Sequence, residues 1–228
     1  LVERGKVDID LPISNYLADL PKWSEQVTSR HLLQYSSGLP RIPWNSYLGR
    51  DNQITETDIL QEIQQVEELE FKAGSSYLYS NMNPILIIKL VERLCQIDFA
   101  TYVNQHILLP NELSGISIKE QYPYKDKTLM AIPFGSDFQE DDYRIAIKGF
   151  LFTASTSGIA RWFELLGNFE VISQSSVKVL SEEAIPGNNI QAPLGHCDWE
   201  KGDIVEHFHH GSSGNYECVV RRFKQEGV

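Results

Sequence analysis

Gly74-Ser75-Ser76-Tyr77-Leu78-Tyr79-Ser80-Asn81 is the stretch from which the rest of the chain can be read. A glycine opens a loop and two tyrosines alternate along it. The closing asparagine precedes Pro84–Cys95, whose proline in the first turn and apolar spacing predict a helix. Upstream, Thr55-Glu56-Thr57-Asp58 reads as the cap of another helix, with Ile59, Ile63 and Val66 on one face at i, i+4 and i+7. Before it, Val27-Thr28 leads into Ser29-Arg30-His31-Leu32-Leu33, a helix entered after a hydroxyl cap and stopped at Ser36-Ser37-Gly38-Leu39-Pro40. His31 reads as structural within that helix. Ile13–Leu17 opens a small helical piece, and Leu1–Lys6 reads as the last turn of a helix ended by Gly5.

Downstream, Phe99–Leu108 is a further expected helix with Tyr102, Val103 and His106 facing inward. Residues 109–147 are polar and aromatic-rich, and their pattern selects no element. Gly149-Phe150-Leu151-Phe152-Thr153-Ala154 leads through Ser155–Gly158 into a helix over Ile159–Leu166, and Ser175–Leu180 suggests one more. The last third changes character: Ile204–His210 and Tyr216–Phe223 read as strands around a Gly-Ser-Ser-Gly turn, and Lys224–Gly227 as a turn awaiting another strand. The order is helical to about residue 180 and β afterwards, and both ends read as interrupted elements, as in a piece of a longer chain.

At 228 residues, 42% hydrophobic and 22% charged, the sequence is long and apolar enough to bury a sizeable core. The net charge of −11 comes from acids scattered along the length, with no basic stripe for phosphates, so nucleic acid is not an expected partner. The longest apolar run, Ile85–Ile88, is far below the roughly 18–20 residues that cross a bilayer. Cys95, Cys197 and Cys218 are odd in number and irregularly spaced, which argues against a complete disulfide framework.

Six stretches, Leu1–Pro12, Arg30–Pro40, Phe71–Asn81, Phe99–Pro110, Gly149–Trp162 and Pro193–Gly214, are similar in this order to stretches of the penicillin-recognising serine hydrolase superfamily, the class C β-lactamase-like enzymes, DD-peptidases and esterases. That family works through Ser-x-x-Lys, then Tyr-x-Asn, then Lys-Thr-Gly or His-x-Gly. Tyr79-Ser80-Asn81 resembles the second motif and His209-His210-Gly211 the histidine form of the third. Ser-x-x-Lys is expected upstream of Leu1. Ser175-Ser176-Val177-Lys178 fits its spacing but follows the tyrosine motif, and with 20 serines and 11 lysines chance supplies about one such pair.

The resemblance implies an α/β (α+β) fold of the β-lactamase/transpeptidase kind, an antiparallel sheet flanked by helices plus an all-helical domain. Residues 13–148 would form the mostly helical domain and residues 1–12 and 149–228 parts of the sheet domain. It implies that Tyr79 is the general acid/base, helped by cations from His209 and the upstream lysine. A phenol of ordinary pKa near 10 is a poor base without such help. Asn81 would orient the substrate carbonyl or the lysine, while also capping the following helix. The Ser212 N–H would supply half of an oxyanion hole, and Gly211 would allow close approach of substrate to the strand. The family usually has Pro-Gly where this chain has Ala73-Gly74, and the glycine expected later in the third-motif turn comes early as Gly214, before Asn215, which leaves that turn's register open.

The expected reaction is cleavage of an ester or amide in a small or peptide-like substrate through an acyl-serine. No cofactor and no metal are implied, and an extracytoplasmic location is favoured by the resemblance. Two other readings stand beside it: a catalytically inactive relative used for binding, and a zinc hydrolase built on His207, His209 and His210 with His196 and Cys197 nearby. On a strand His207 and His209 share a face that His210 opposes, so a zinc site needs a third ligand from elsewhere.

Overall fold

Local capping chemistry places the helices. In the computed structural model, which describes residues 1–44, 54–118, 131–140, 145–146, 151–185, 192–213 and 215–224, helix α1 (Ser29–Leu33) starts at Thr28. Its hydroxyl accepts from the His31 N–H while the His31 ring accepts from the Thr28 N–H, a reciprocal capping box. Helix α2 (Glu56–Gln64) repeats the device with Thr55 and Asp58. Its Ile59 and Ile63 are fully buried and Val66 nearly so, as the spacing predicts. Helix α3 (Met82–Cys95) follows the tyrosine loop and buries Met82, Ile85 and Leu86 against Leu32 and Leu39. Each such aliphatic side chain contributes about 1.5–3 kcal/mol by leaving water. Lys89 on α3 pairs with both Glu56 and Glu92, tying α2 to α3.

Two expectations about helices change. Ile13–Asn15 is a short 3-10 turn, and the Phe99–Leu108 helix divides into α4 (Phe99–Val103) and a π turn over Asn104–Leu108. The wider turn, with Leu109 N–H bonded to Asn104 O, rotates the inward face onto Leu108. His106 therefore lies exposed, packed at 4.6 Å on the Tyr102 ring, where an uninterrupted α-helix would have turned it inward. At the other end of this part, Lys6 N–H bonds Leu1 O, Gly5 N–H bonds Val2 O and Gly5 has φ +65°, the helix-ending geometry expected of Leu1–Lys6.

Short ladders join the halves of the chain. Strand β1 (Ile54–Thr55) runs parallel to β3 (Ile145–Ala146), and β2 (Ile116–Ile118) antiparallel to β4 (Phe152–Ala154). A second core of Val103, Leu108, Leu113, Ile116 and Leu165 connects the π turn to helix α5 (Thr156–Gly167), which starts one turn earlier than the pattern suggests because Ser155 caps the Gly158 N–H. Helix α6 (Gln174–Leu180) follows, with the Glu3 carboxylate accepting from the Ser173 N–H and the Ser176 hydroxyl.

The last third is an antiparallel sheet in the order β5 (His196–Glu200), β6 (Asp203–Ser213), β7 (Tyr216–Phe223), with α5 packed on β6 and β7. Gly211, Ser212 and Ser213 belong to β6 and pair with Cys218, Glu217 and Tyr216, so three residues of the expected Gly-Ser-Ser-Gly turn are strand instead. Continuing the ladder satisfies three more backbone pairs than a wide turn would. Gly149, Phe150, Gly214 and Gln225–Gly227, which also entered the sequence reading, lie outside the described residues. Among the described residues no helix is long and apolar enough to cross a membrane.

Candidate active site

The tyrosine loop is laid against the end of α1 by backbone contacts that its glycines permit. Gly74 N–H bonds Ser36 O and Leu78 N–H bonds Tyr35 O. Gly74 has φ +80°, and a Cβ there would stand 2.9 Å from the His31 ring, so glycine serves both the turn and the close approach. Tyr79 is half exposed at 50%, and its ring stacks on Tyr35 at 4.6 Å and 21°, with Tyr77 edge-on to Tyr35 at 6.3 Å. Burial, then the neighbouring Tyr79 phenol and a hydrogen bond to it, push Tyr35 well above the ordinary tyrosine range, so Tyr35 keeps its proton. Burial and the Tyr79 phenol also raise Tyr77.

Residues either side of the motif's asparagine hold the loop from beneath. The buried Ser80 hydroxyl donates to Pro40 O at 2.5 Å and accepts from the Met82 N–H. Asn83, with no exposed surface, donates to Ser80 O at 2.9 Å and accepts from the Ser37 hydroxyl at 2.6 Å. Asn81 stands at the N-cap of α3 without any side-chain capping bond, so the capping expectation is not met, and the Ser80 hydroxyl accepts from the Met82 N–H instead. The partly exposed Asn81 amide is left pointing away from helix duty. Ser37 and Asn83 were read in the sequence only as a helix stop and a helix residue.

On the sheet, His209, Gly211 and Ser212 share β6. The ladder from β5 ends at His196 with Phe208, so β6 beyond Phe208 pairs only with β7 among the described residues and its other edge carries no strand there. Among the described residues, no atom other than those of its chain neighbours lies within 4 Å of where a Gly211 Cβ would stand. The His209 ring lies against Gly195, whose φ is +87° and whose absent Cβ would sit 2.8 Å from it. Burial first, and the adjacent His210 second, hold His209 below the ordinary histidine value, while a backbone hydrogen bond opposes them. Burial thus disfavours the imidazolium form of this ring.

The remaining histidines are engaged separately. His207 is buried, stacks on Phe163 at 4.2 Å and donates from Nε2 to Leu194 O at 2.7 Å. His210, on the opposite face, pairs with Glu217 at 2.9 Å, and His196 with Asp198 at 3.2 Å. Cys197 is pushed up to about 12, chiefly by burial, and stays a thiol. Among the described residues no group of three or more His, Cys, Asp or Glu side chains is arranged to hold a metal ion. Ser175 and Lys178 are both exposed on α6, where the Ser175 hydroxyl bonds Ser173 at 2.9 Å.

The five expected site residues thus fall into two groups, Tyr79 and Asn81 on the loop before α3, and His209, Gly211 and Ser212 on β6. An indirect series of hydrogen bonds connects the end of α1, on which the loop lies, with β6. Gln34 at the end of α1 donates to Glu182 O, Leu194 N–H bonds Leu180 O, and Leu194 O receives His207 of β6.

The Beta-lactamase family model matches residues 1–220. Protein flp of Staphylococcus aureus (strain MW2) is 24% identical over 133 residues, which cover 56% of this chain and 26% of that protein. An octameric penicillin-binding protein homologue from Pyrococcus abyssi superposes with a TM-score of 0.75 at 21% identity, over all of this chain and 56% of its own. A penicillin-binding protein from Bacillus halodurans gives 0.79 at 18% identity over 74% of its length, and a D-stereospecific amidohydrolase from Streptomyces sp. 0.73 at 15% over 74%. The chain spans about half the length of the Pyrococcus protein and about a quarter of the staphylococcal one. With nearly its whole length matched and its helices and antiparallel sheet shared with these folds, the chain belongs to the Beta-lactamase family of the penicillin-recognising serine hydrolase superfamily.

Proposed function

We propose that the protein containing this chain cleaves an ester or a peptide-like amide through an acyl-serine intermediate, with the serine supplied by residues outside 1–228. The observation that carries this reading is the Tyr79 loop. A motif tyrosine is presented half exposed, yet its ring is stacked and the loop beneath it is tied by the buried Ser80–Asn83–Ser37 network. A tyrosine needed only for packing would be covered. The amidohydrolase and penicillin-binding proteins among the fold relatives favour acyl transfer on a peptide-like substrate.

In this reading Tyr79, sharing its proton with a lysine outside the chain, accepts the serine hydroxyl proton as the serine oxygen bonds the substrate carbonyl carbon. It returns that proton to the departing nitrogen or oxygen as the original bond breaks, and then activates the water that releases the acyl group. Asn81 orients the carbonyl or the lysine. The Ser212 N–H at the open edge of β6 holds the oxyanion with the serine's own N–H, and Gly211 leaves that edge clear. His209 acts as a neutral hydrogen-bonding imidazole. The site lies between a mostly helical unit, residues 13–148, and a sheet unit of residues 1–12 and 149–228. The Glu3 bonds to Ser173 and Ser176 support placing the first segment with the last.

In the protein containing this chain, Tyr79→Phe is expected to cut turnover of an activated ester such as p-nitrophenyl acetate by about 10²-fold. Turnover equal to the parent's would remove Tyr79 from the mechanism.

A further inference from the structure

Tyr35 occupies a position where glycine is the default. Ser36 N–H bonds His31 O and Tyr35 N–H bonds Leu32 O, so α1 ends with Tyr35 at the left-handed position that closes a helix, and its φ is +52°. Any residue with a Cβ is disfavoured there. The two neighbouring positions with such dihedrals, Gly38 and Gly74, are glycines. At Gly38 a Cβ would stand 2.4 Å from Phe71 O, and at Gly74 one would meet the His31 ring. At position 35 the chain instead keeps a large aromatic residue in an unfavourable backbone conformation, which points to a use for its side chain.

Its contacts show what that side chain reaches. The Tyr35 ring stacks face to face on Tyr79, Tyr77 closes its edge, and its carbonyl accepts from the Leu78 N–H. Burial and the neighbouring Tyr79 phenol make Tyr35 keep its proton. Ring and backbone of one residue thus both hold the same loop.

We propose that Tyr35 is a positioning residue for Tyr79, its ring fixing the orientation of the Tyr79 ring and its hydroxyl donating a hydrogen bond to the Tyr79 oxygen as negative charge develops there. The inference rests on the acid/base role given to Tyr79 above. The transfer itself involves only Tyr79, because the Tyr35 proton is shared and not released. Losing the hydroxyl weakens stabilisation of the charged phenol. Losing the ring releases its orientation while relieving the backbone.

The test compares Tyr35→Phe, Tyr35→Gly and Tyr79→Phe in the protein containing this chain, with p-nitrophenyl acetate as probe. Tyr35→Phe keeps the stack, and its kcat at neutral pH should fall about tenfold with KM unchanged while the acid limb of the pH–rate profile moves up by about one pH unit. Tyr35→Gly relieves the φ but loses the packing of the buried ring, so its thermal midpoint should fall while kcat drops about tenfold or more. A purely structural residue would leave the Tyr35→Phe kcat and pH profile unmoved. If Tyr35→Gly does not fold, the Tyr35→Phe profile decides alone. A profile and kcat for Tyr35→Phe equal to the parent's, with Tyr79→Phe inactive, overturns this inference and leaves the acid/base reading standing. Tyr79→Phe with full turnover overturns both.

Discussion

His207 shows at the residue scale how one buried side chain links stability to pH. It is 1% exposed between Phe163 and the Leu194 carbonyl, and burial, opposed by that carbonyl, holds it below its ordinary value of 6.5. Above pH 6.5 the ring is neutral in folded and unfolded chains alike. As pH falls below 6.5 the unfolded chain takes up a proton that the folded chain refuses, so stability declines. His31 and His209, also lowered chiefly by burial, act in the same direction. Asp10, lowered by its hydrogen bond to Arg30, and Glu3, lowered by Ser176 and Ser173, contribute stability above the ordinary carboxylate values that is lost only at still lower pH. Urea midpoints are therefore expected to be level above pH 7 and to fall between pH 6.5 and 5. His207→Gln keeps a donor for Leu194 O, and it should flatten part of that fall. An unchanged slope in the variant would show that His207 titrates as in the unfolded chain.

At the scale of elements, the β5–β6 pairing depends on a close approach. Gly195 has φ +87°, and a Cβ there would stand 2.3 Å from Phe208 O and 2.8 Å from the His209 ring. The backbone carbonyl cannot move aside as a flexible side chain would. Gly195→Ala is expected to cost about 1–3 kcal/mol in urea denaturation. Gly211→Ala on β6, with no described neighbour near its Cβ position, should stay within about 0.5 kcal/mol. Equal losses in both would mean that crowding at Gly195 is not what its glycine relieves. The helices were legible beforehand because caps and apolar spacing act over one or two turns, as at Thr55–Val66. The π turn at Asn104–Leu108, which left His106 outside, was not legible, since the docking of Val103 and Leu108 onto Leu113 and Leu165 selects it.

For the whole molecule, the proposed division of labour puts the nucleophile outside this chain. Residues 1–228 alone are then expected to remain unlabelled by a fluorophosphonate or a fluorescent penicillin. The readout is mass spectrometry of the treated chain, and stoichiometric labelling would place the nucleophile within it, with Ser175 the first residue to examine. Contacts between distant segments anchor α1, on which the tyrosine loop lies. Arg30 pairs with Asp10 at 2.6 Å and Glu182 at 3.6 Å, and Gln34 also reaches Glu182, so the helix that bears Tyr35 is tied to the segment leading to Leu194 and β6.

By itself the sequence determined the family motifs, the capped helices, the isoleucine face of α2 and the two long strands, because each is written in residues a few positions apart. It also placed Tyr79 and Asn81 in one loop and His209 on a strand, whereas only the structure continued that strand through Gly211 and Ser212. Only the tertiary structure decided that Tyr35 lies over Tyr79, that Ser37 and Asn83 fasten the loop, and that Asn81 makes no capping bond. It alone set the His209 ring against Gly195, where burial lowers its proton affinity. Stacking, burial and the protonation they impose arise between segments far apart in the chain, where no local pattern records which side chains will meet.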